Sequence, residues 1–402
     1  MQQRVYSDLL ALTIEYPGEF IAMDKTVGSC SYRIFTYRRV PRYQKWWHNE
    51  SALECRGITF ERMDGEPIRL ASWPFEKFFN WNENPLTRNI DFTNLREVLV
   101  KEDGSLVSSM MLPTTNNNNN EQERQLHLKT RNSLQSDLVT VINDLIRSPP
   151  FAALYDFVFS WTQRGYTVIM EYTSPNHRIV VPYTTSKLTV LAIRSNEDGT
   201  YVDIHKSNDD FSPSPEMQPY LVKNILTEPG LTQLKTREDD ILAFLENISN
   251  MKKIEGYVVR LASGQRIKIK TNWYKELHDG VNNPARPGES ISEEFMVKAF
   301  LKDTMDDVRS MYHTMPEVLA KMDDVTERVS KIYNDTITPA ADFYDDHKSL
   351  SRKKFTMLAQ QKLTTNQNQI VTKMYVQGTT EVDISEVVLQ QMKKKMPASS
   401  SS

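Results

Sequence analysis

The sequence predicts an α+β body built from short strands, followed by an all-α domain. Two observations carry that reading. Between about residue 30 and residue 280, short β-branched and aromatic runs are punctuated by Gly, Asp, Asn and Pro, the pattern of strands and turns. Beyond about residue 282, apolar residues recur at helical spacing among many Asp, Lys and Met. Between the two lies Asn282-Asn-Pro-Ala-Arg-Pro-Gly-Glu289, a segment that favours neither strand nor helix. The expected boundaries are 1–282 for the first domain and 283–396 for the helical one, with a disordered tail at 397–402.

Strands are expected at 32–37, 57–60, 68–71, 95–100, 106–110, 126–129, 167–171, 188–193, 256–260 and 265–270. Helices are expected at 136–147 and 237–250, then at 290–312, 316–333, 344–361 and 381–395. The asparagine run at 116–120 is low in complexity and reads as a flexible surface loop joining two strands of a hairpin.

Composition narrows the class without naming the activity. With 39% hydrophobic and 25% charged residues, the 402-residue chain has the make-up of a globular protein with ample core. Only Cys30 and Cys55 are present, so no disulfide framework is expected and a reducing cytoplasm is the simplest setting. No stretch has the apolar length of a signal peptide or a membrane span, and a monomer with no membrane association is expected. A net charge of −3 argues against a uniform cationic coat but leaves room for a local basic channel along a phosphodiester backbone.

The chemistry centres on Lys101-Glu-Asp-Gly104, where a strand runs into a turn. As structure alone, Asp-Gly is a hairpin signal. As chemistry, the lysine is a nucleophile if neighbouring cations or burial help to remove its proton, with Gly104 allowing a close backbone approach to a ligand. Six further segments place charge at strand ends: Glu54-Cys-Arg56-Gly57, Glu76-Lys77-Phe-Phe-Asn80, Lys129-Thr-Arg131, Met170-Glu171-Tyr, Glu255-Gly256-Tyr-Val, and Lys268-Ile-Lys270. Taken singly, the cations read as surface charges and the carboxylates as strand-edge charges. Alternation puts Lys268 and Lys270 on one face of their strand. Together they are the parts that hold a nucleoside triphosphate and its metal: cations against phosphates, carboxylates for a hard divalent ion or a ribose.

That order of motifs resembles the covalent nucleotidyltransferase superfamily of ligases and capping enzymes. More narrowly, Tyr32-Arg-Ile-Phe-Thr-Tyr37, Leu53-Glu-Cys-Arg-Gly-Ile58, Glu76-Lys-Phe-Phe-Asn80, Lys101-Glu-Asp-Gly-Ser-Leu-Val107 and Lys268-Ile-Lys-Thr-Asn-Trp-Tyr274 are similar to the tailed-bacteriophage RNA ligase 1 family. The resemblance implies a nucleotidyltransferase (ATP-grasp-like ligase) domain of antiparallel sheets flanked by helices, and a C-terminal domain directed to RNA, specifically tRNA. It implies ATP and Mg²⁺, with Mn²⁺ as a substitute, and RNA carrying 5′-phosphate and 3′-hydroxyl ends, such as a cleaved tRNA anticodon loop. A polynucleotide kinase-phosphatase is the implied functional partner, and a phage-encoded enzyme would work in the host cytoplasm. Lys101 is the implied nucleophile, Glu171 the ribose partner and Glu255 the metal ligand. Arg56, Lys77, Lys268 and Lys270 are assigned to phosphates, with Tyr37, Gly104 and Arg131 in the nucleotide site; a role for Lys129 stays open. Asn132 stands after Arg131 where a glycine is expected. Two other readings share the lysine or the fold, namely a capping-type guanylyltransferase and a non-catalytic RNA-binding module.

Overall fold

The computed structural model describes residues 1–28, 30–37, 46, 48–114, 124–177, 179–205, 211–227, 238–278, 292–301, 305, 308–309, 312, 315–378, 382 and 384–394. They form two compact units, one within residues 1–281 and one within 282–402. The 116–120 run, the 282–289 segment, Arg178 and the 397–402 tail lie outside the described residues.

The first unit carries three four-stranded sheets. The first sheet runs β1 (Phe20–Val27), β2 (Cys30–Tyr37), β3 (Arg56–Met63), β4 (Glu66–Ser72), antiparallel throughout. Helix α1 (Gln2–Glu15) turns Tyr6, Leu9 and Leu12 onto it, against Phe20, Phe35, Ile58, Phe60 and Leu70. Strand alternation sends Tyr32 and Ile34 to the other face, where they pack on Ala71, Met110 and Leu112. The short α2 (Glu50–Glu54) is capped by Asn49, whose side chain accepts from the Ala52 N–H, and delivers the chain to Arg56.

The second sheet orders β7 (Ser105–Pro113), β8 (Arg124–Thr130), β9 (Tyr166–Thr173) and β10 (Lys187–Ser195) as β10-β9-β7-β8. Helices α4 (Asp137–Arg147) and α5 (Ala152–Gln163) cover it with Ile142, Ile146, Leu154 and Val158. Asn143 points inward and bonds both the N–H and the carbonyl of Leu128, so α4 is pinned along the edge strand β8. The third sheet orders β5 (Phe79–Asn80), β12 (Arg266–Lys270), β11 (Gly256–Leu261) and β6 (Leu95–Lys101), with β5 parallel to β12 and the rest antiparallel. Helix α6 (Glu238–Ser249) packs Ile241, Leu245 and Ile248 on Val98, Val259, Ile267 and Ile269. The short helices α3 (Pro85–Arg88) and α7 (Asn272–His278) follow β5 and β12.

Each expected strand is present, and 106–110 and 126–129 do pair as the two antiparallel strands β7 and β8. The hairpin expected at Asp103-Gly104 is corrected. β6 belongs to the third sheet and β7 to the second, so Lys101-Glu-Asp-Gly104 is a crossing between sheets. Strand β1 went unseen because its outer half is polar and exposed, and α5 because its aromatic run is a weak helix signal.

The second unit is helical: α8 (Glu293–Leu301), α9 (Pro316–Ile332), a π-turn (Tyr333–Ile337), α10 (Thr338–His347), α11 (Arg352–Lys362), α12 (Thr365–Gln377) and α13 (Ser385–Lys394). Met296, Phe300, Met322, Val325, Val329, Ile370, Met374 and Val388 share its core. The single helix expected over 344–361 is two, because Ser351 is extended and interrupts the helical backbone just before α11. The helix expected to stop at 333 continues through the π-turn into α10. Pro339 has no N–H for the Asp335 carbonyl four residues back, and the Gln367 side chain donates to that carbonyl at 3.0 Å.

Candidate active site

Lys101 closes β6, Gly256 opens β11, and Lys270 closes β12. In the register of the third sheet Gly256 stands opposite both lysines. Glu255, one residue before β11, is therefore held between them. Its Oε1 accepts from Lys101 Nζ at 2.7 Å and lies 3.3 Å from Lys270 Nζ. The carboxylate is 3% exposed, so two cations compensate one buried anion. A side chain at Gly256 would meet the Ile269 carbonyl at 2.0 Å, and its φ of +149° is in the glycine region, so only glycine lets β11 pass this close.

The Asp103 side chain locks the crossing that follows Lys101. Its Oδ2 accepts the N–H groups of Val180 and Val181 at 2.8 and 2.7 Å, and its Oδ1 accepts Tyr274 Oη at 2.7 Å. The Asp103 N–H donates to Tyr183 Oη, which donates in turn to Glu102. Gly104 fits because a Cβ there would lie 2.1 Å from the Tyr172 carbonyl of β9; its close approach is to this neighbouring strand. Thr271 caps α7, accepting from the Tyr274 N–H and donating to the Ile254 carbonyl, which ties the Tyr274 anchor to the approach of Glu255. Tyr183 had no clear signal in the sequence; Asp103 was visible as part of the Lys101-Glu-Asp-Gly104 motif, and Tyr274 as the last residue of the Lys268 segment.

Glu171 enters from β9, between Leu106 and Thr189. Burial pushes its carboxyl up to about 8; Lys101 and Arg56 pull it down, while Glu255 and Asp103 reinforce the rise. Glu171, Lys101, Glu255 and Arg56 are thus near enough to act on one another's charge, and they are carried on or beside strands of all three sheets. Among the described residues the Arg56 guanidinium has buried Nε and Nη1 atoms with no hydrogen-bond partner. Unsatisfied donors of this kind are rare and suit an anionic ligand.

A second group stands beside it. Arg131, just after β8, donates from Nη1 to Tyr37 Oη at 2.9 Å and lies 4.8 Å above the Tyr37 ring. Lys77 Nζ is 5.9 Å from that ring and 5.8 Å from Phe79. The Lys77 backbone is fixed by its N–H to the Leu53 carbonyl. Next to it, Glu76 takes Arg266 at 3.1 Å and Arg194 at 3.6 Å and accepts from Tyr201. Burial alone would raise the Glu76 carboxyl, but the two arginines more than reverse that and hold it below its ordinary value. Lys268 shares a strand face with Lys270, beside Val258 and Asn80, while Ile267 and Ile269 fill the opposite core. The glycine expected after Arg131 is not required, because Asn132 avoids positive φ and accepts from Thr36 Oγ1 at 3.0 Å.

The arrangement sets the Lys101 amine 2.7 Å from a buried carboxylate, near a protonatable buried acid and several cations. Glu255 adds a carboxylate in direct contact with the lysine to the cations and burial expected around it. Among the described residues no three His, Cys, Asp or Glu side chains converge. Glu255 is suited to a divalent ion held mainly by phosphate oxygens and water.

Residues 54–274, more than half of the chain, match the family model described as RNA ligase. The chain belongs to that family. Residues 289–399 match the model described as T4 RNA ligase 1, C-terminal domain, so both units carry the ligase's family signature. A relative from Thermovibrio ammonificans, provisionally named an RNA ligase, is 24% identical over 293 residues, 71% of this chain and 68% of its own. RNA ligase 1 of bacteriophage TS2126 is 24% identical over 295 residues, 71% of this chain and 65% of its own. The chain thus spans about two thirds of the length of these relatives. No helix among the described residues is long and apolar enough to cross a membrane.

Proposed function

We propose that the chain is an ATP-dependent RNA ligase that joins a 3′-hydroxyl to a 5′-phosphate through lysyl-AMP and RNA-adenylate intermediates. The observation that carries this reading is Lys101 Nζ paired with buried Glu255 at the shared end of three strands, near buried Glu171 and the Arg56 guanidinium, whose Nε and Nη1 have no partner among the described residues. In the first step the amine proton passes to Glu255 or water. The nitrogen lone pair forms a bond to the α-phosphorus of ATP, and the bond to pyrophosphate breaks. An oxygen of the RNA 5′-phosphate then attacks the adenylyl phosphorus and returns the electron pair to the lysine nitrogen. Finally the 3′-hydroxyl attacks the activated 5′-phosphate, and AMP leaves. The first two steps together place a good leaving group, AMP, on the RNA 5′-phosphate, and the third expels it.

Arg56, Lys77, Lys268 and Lys270 would neutralise phosphate charge, Arg131 and Tyr37 would form the neighbouring cationic wall, and Glu171 would bind the ribose hydroxyls. Glu255 would hold Mg²⁺, or Mn²⁺ in its place; when bound, the ion offsets negative charge on the phosphates. In the second unit, α11 begins with Arg352, Lys353 and Lys354, all exposed, with no acidic residue in its first turn and no side-chain cap. Cations at a helix N-terminus oppose the macrodipole, at about 0.3–1 kcal/mol each, and favour a polyanion nearby. This supports an RNA-directed role for the 283–396 domain. The substrate we infer is a cleaved tRNA anticodon loop, with a kinase-phosphatase preparing its ends.

Incubation with α-labelled ATP or GTP and Mg²⁺, followed by denaturation, tests the reading. Label retained from ATP, and sealing of 5′-phosphorylated RNA, is expected; retention from GTP alone would make the protein a guanylyltransferase, and no retention would leave a binding module.

A further inference from the structure

Lys129 is the most deeply buried cation near the site, and the roles proposed above do not use it. It lies on β8 opposite Ser108 and is 0% exposed. Its ammonium donates to the Gly57 carbonyl at 2.8 Å, and among the described residues no carboxylate pairs with it. Burial alone pulls its amine down to about 7. A lysine buried against a neutral acceptor is costly, and a leucine or methionine would fill the same space without that cost. The place where its one bond lands is informative.

Gly57 is where the first and second sheets meet. Its φ is +93°, and a Cβ there would meet the Arg131 carbonyl at 2.6 Å. Its own carbonyl accepts a second donor, Thr59 Oγ1, at 3.0 Å. One residue earlier is Arg56, with its buried unpartnered nitrogens. On the Arg131 side, Asn132 accepts from Thr36, the register partner of Arg56. The peptide that Lys129 grips therefore connects the Arg56 group to the Arg131–Tyr37 group.

We propose that Lys129 is a positioning residue, holding the Gly57 carbonyl so that the Arg56–Gly57 turn aims the Arg56 guanidinium at the phosphates of the nucleotide. Lys129 touches no substrate; its effect passes through Arg56. This rests on the ligase reading above.

The test is a double-mutant cycle on the rate of lysyl-AMP formation, with Arg56→Ala, Lys129→Met and the double variant of the full chain. If Lys129 acts through Arg56, Lys129→Met loses on the order of 10²-fold, the scale of a small misplacement of a catalytic group. The double variant then matches Arg56→Ala, because an absent guanidinium cannot be misaimed. Paired with Glu171→Gln as a control, the Lys129→Met loss multiplies. Multiplying losses with Arg56→Ala, a wild-type rate for Lys129→Met, or an undiminished Arg56→Ala would overturn the assignment. Should Lys129→Met not fold, Thr59→Val removes the other donor to the same carbonyl and is judged by the same criterion. Absence of any adduct on the wild-type chain would overturn the ligase reading and this inference with it; an adduct with multiplying losses overturns this inference alone.

Discussion

Lys101 and Glu255 sit 2.7 Å apart because Gly256 is registered against the ends of two neighbouring strands. The pair separates the lysine's chemistry from the later steps. Lys101→Ala is expected to abolish adenylylation and the sealing of 5′-phosphorylated RNA, yet to retain sealing of pre-adenylylated RNA, which bypasses the lysine. Equal loss on both substrates would give the lysine a structural or later role. Glu171 makes a different prediction. Its folded carboxyl titrates near 8, against 4.5 for the free group, so the folded state binds the extra proton between those values. Stability of the ligand-free protein should therefore fall as pH rises from about 4.5 to 8. Glu171→Gln should flatten that slope, so that its melting temperature gains on wild type towards pH 8. A melting curve for the variant that runs parallel to wild type across this window would remove burial as the cause.

At the scale of elements, the link between β6 and β7 is the sensitive point. A methyl at Gly104 has the β9 backbone 2.1 Å away and cannot be absorbed by a side-chain rotation. Gly104→Ala should thus lower adenylylation by on the order of 10²-fold, since β6 carries the nucleophile, while pre-adenylylated RNA is sealed with a smaller loss. Near-normal adenylylation would mean the crossing shifts freely. In the second unit, reversing Arg352, Lys353 and Lys354 to Glu should leave adenylylation unchanged. It should raise the KM for a nicked tRNA more than for a short single strand, with a shallower salt dependence. Unchanged KM values would remove α11 from RNA binding. Helix propensity supports the same variant, because acidic residues in a first turn favour the helix and loss of fold is not expected.

Over the whole chain, what was legible is what repeats locally. Short β-branched and aromatic runs revealed the ten expected strands, alternation put Lys268 and Lys270 on one face, and helical spacing revealed α4, α6 and most of the second unit. Sequence order could not show which strands share a sheet. The Asp103-Gly104 crossing therefore read as a hairpin, and the pairing of Lys101 with Glu255 was not visible. Local irregularities also escaped, such as the extended Ser351 between α10 and α11, or the π-turn whose Asp335 carbonyl accepts from Gln367. Lys129 is the extreme case: a lysine in a polar-looking run that folding buries completely. The central claim, that this fold makes Lys101 a nucleophile towards ATP, is tested most directly by intact mass after incubation with ATP and Mg²⁺, followed by peptide mapping. The account predicts one adenylyl group on Lys101, absent from Lys101→Ala; an unmodified chain, or an adduct on another residue, would contradict it.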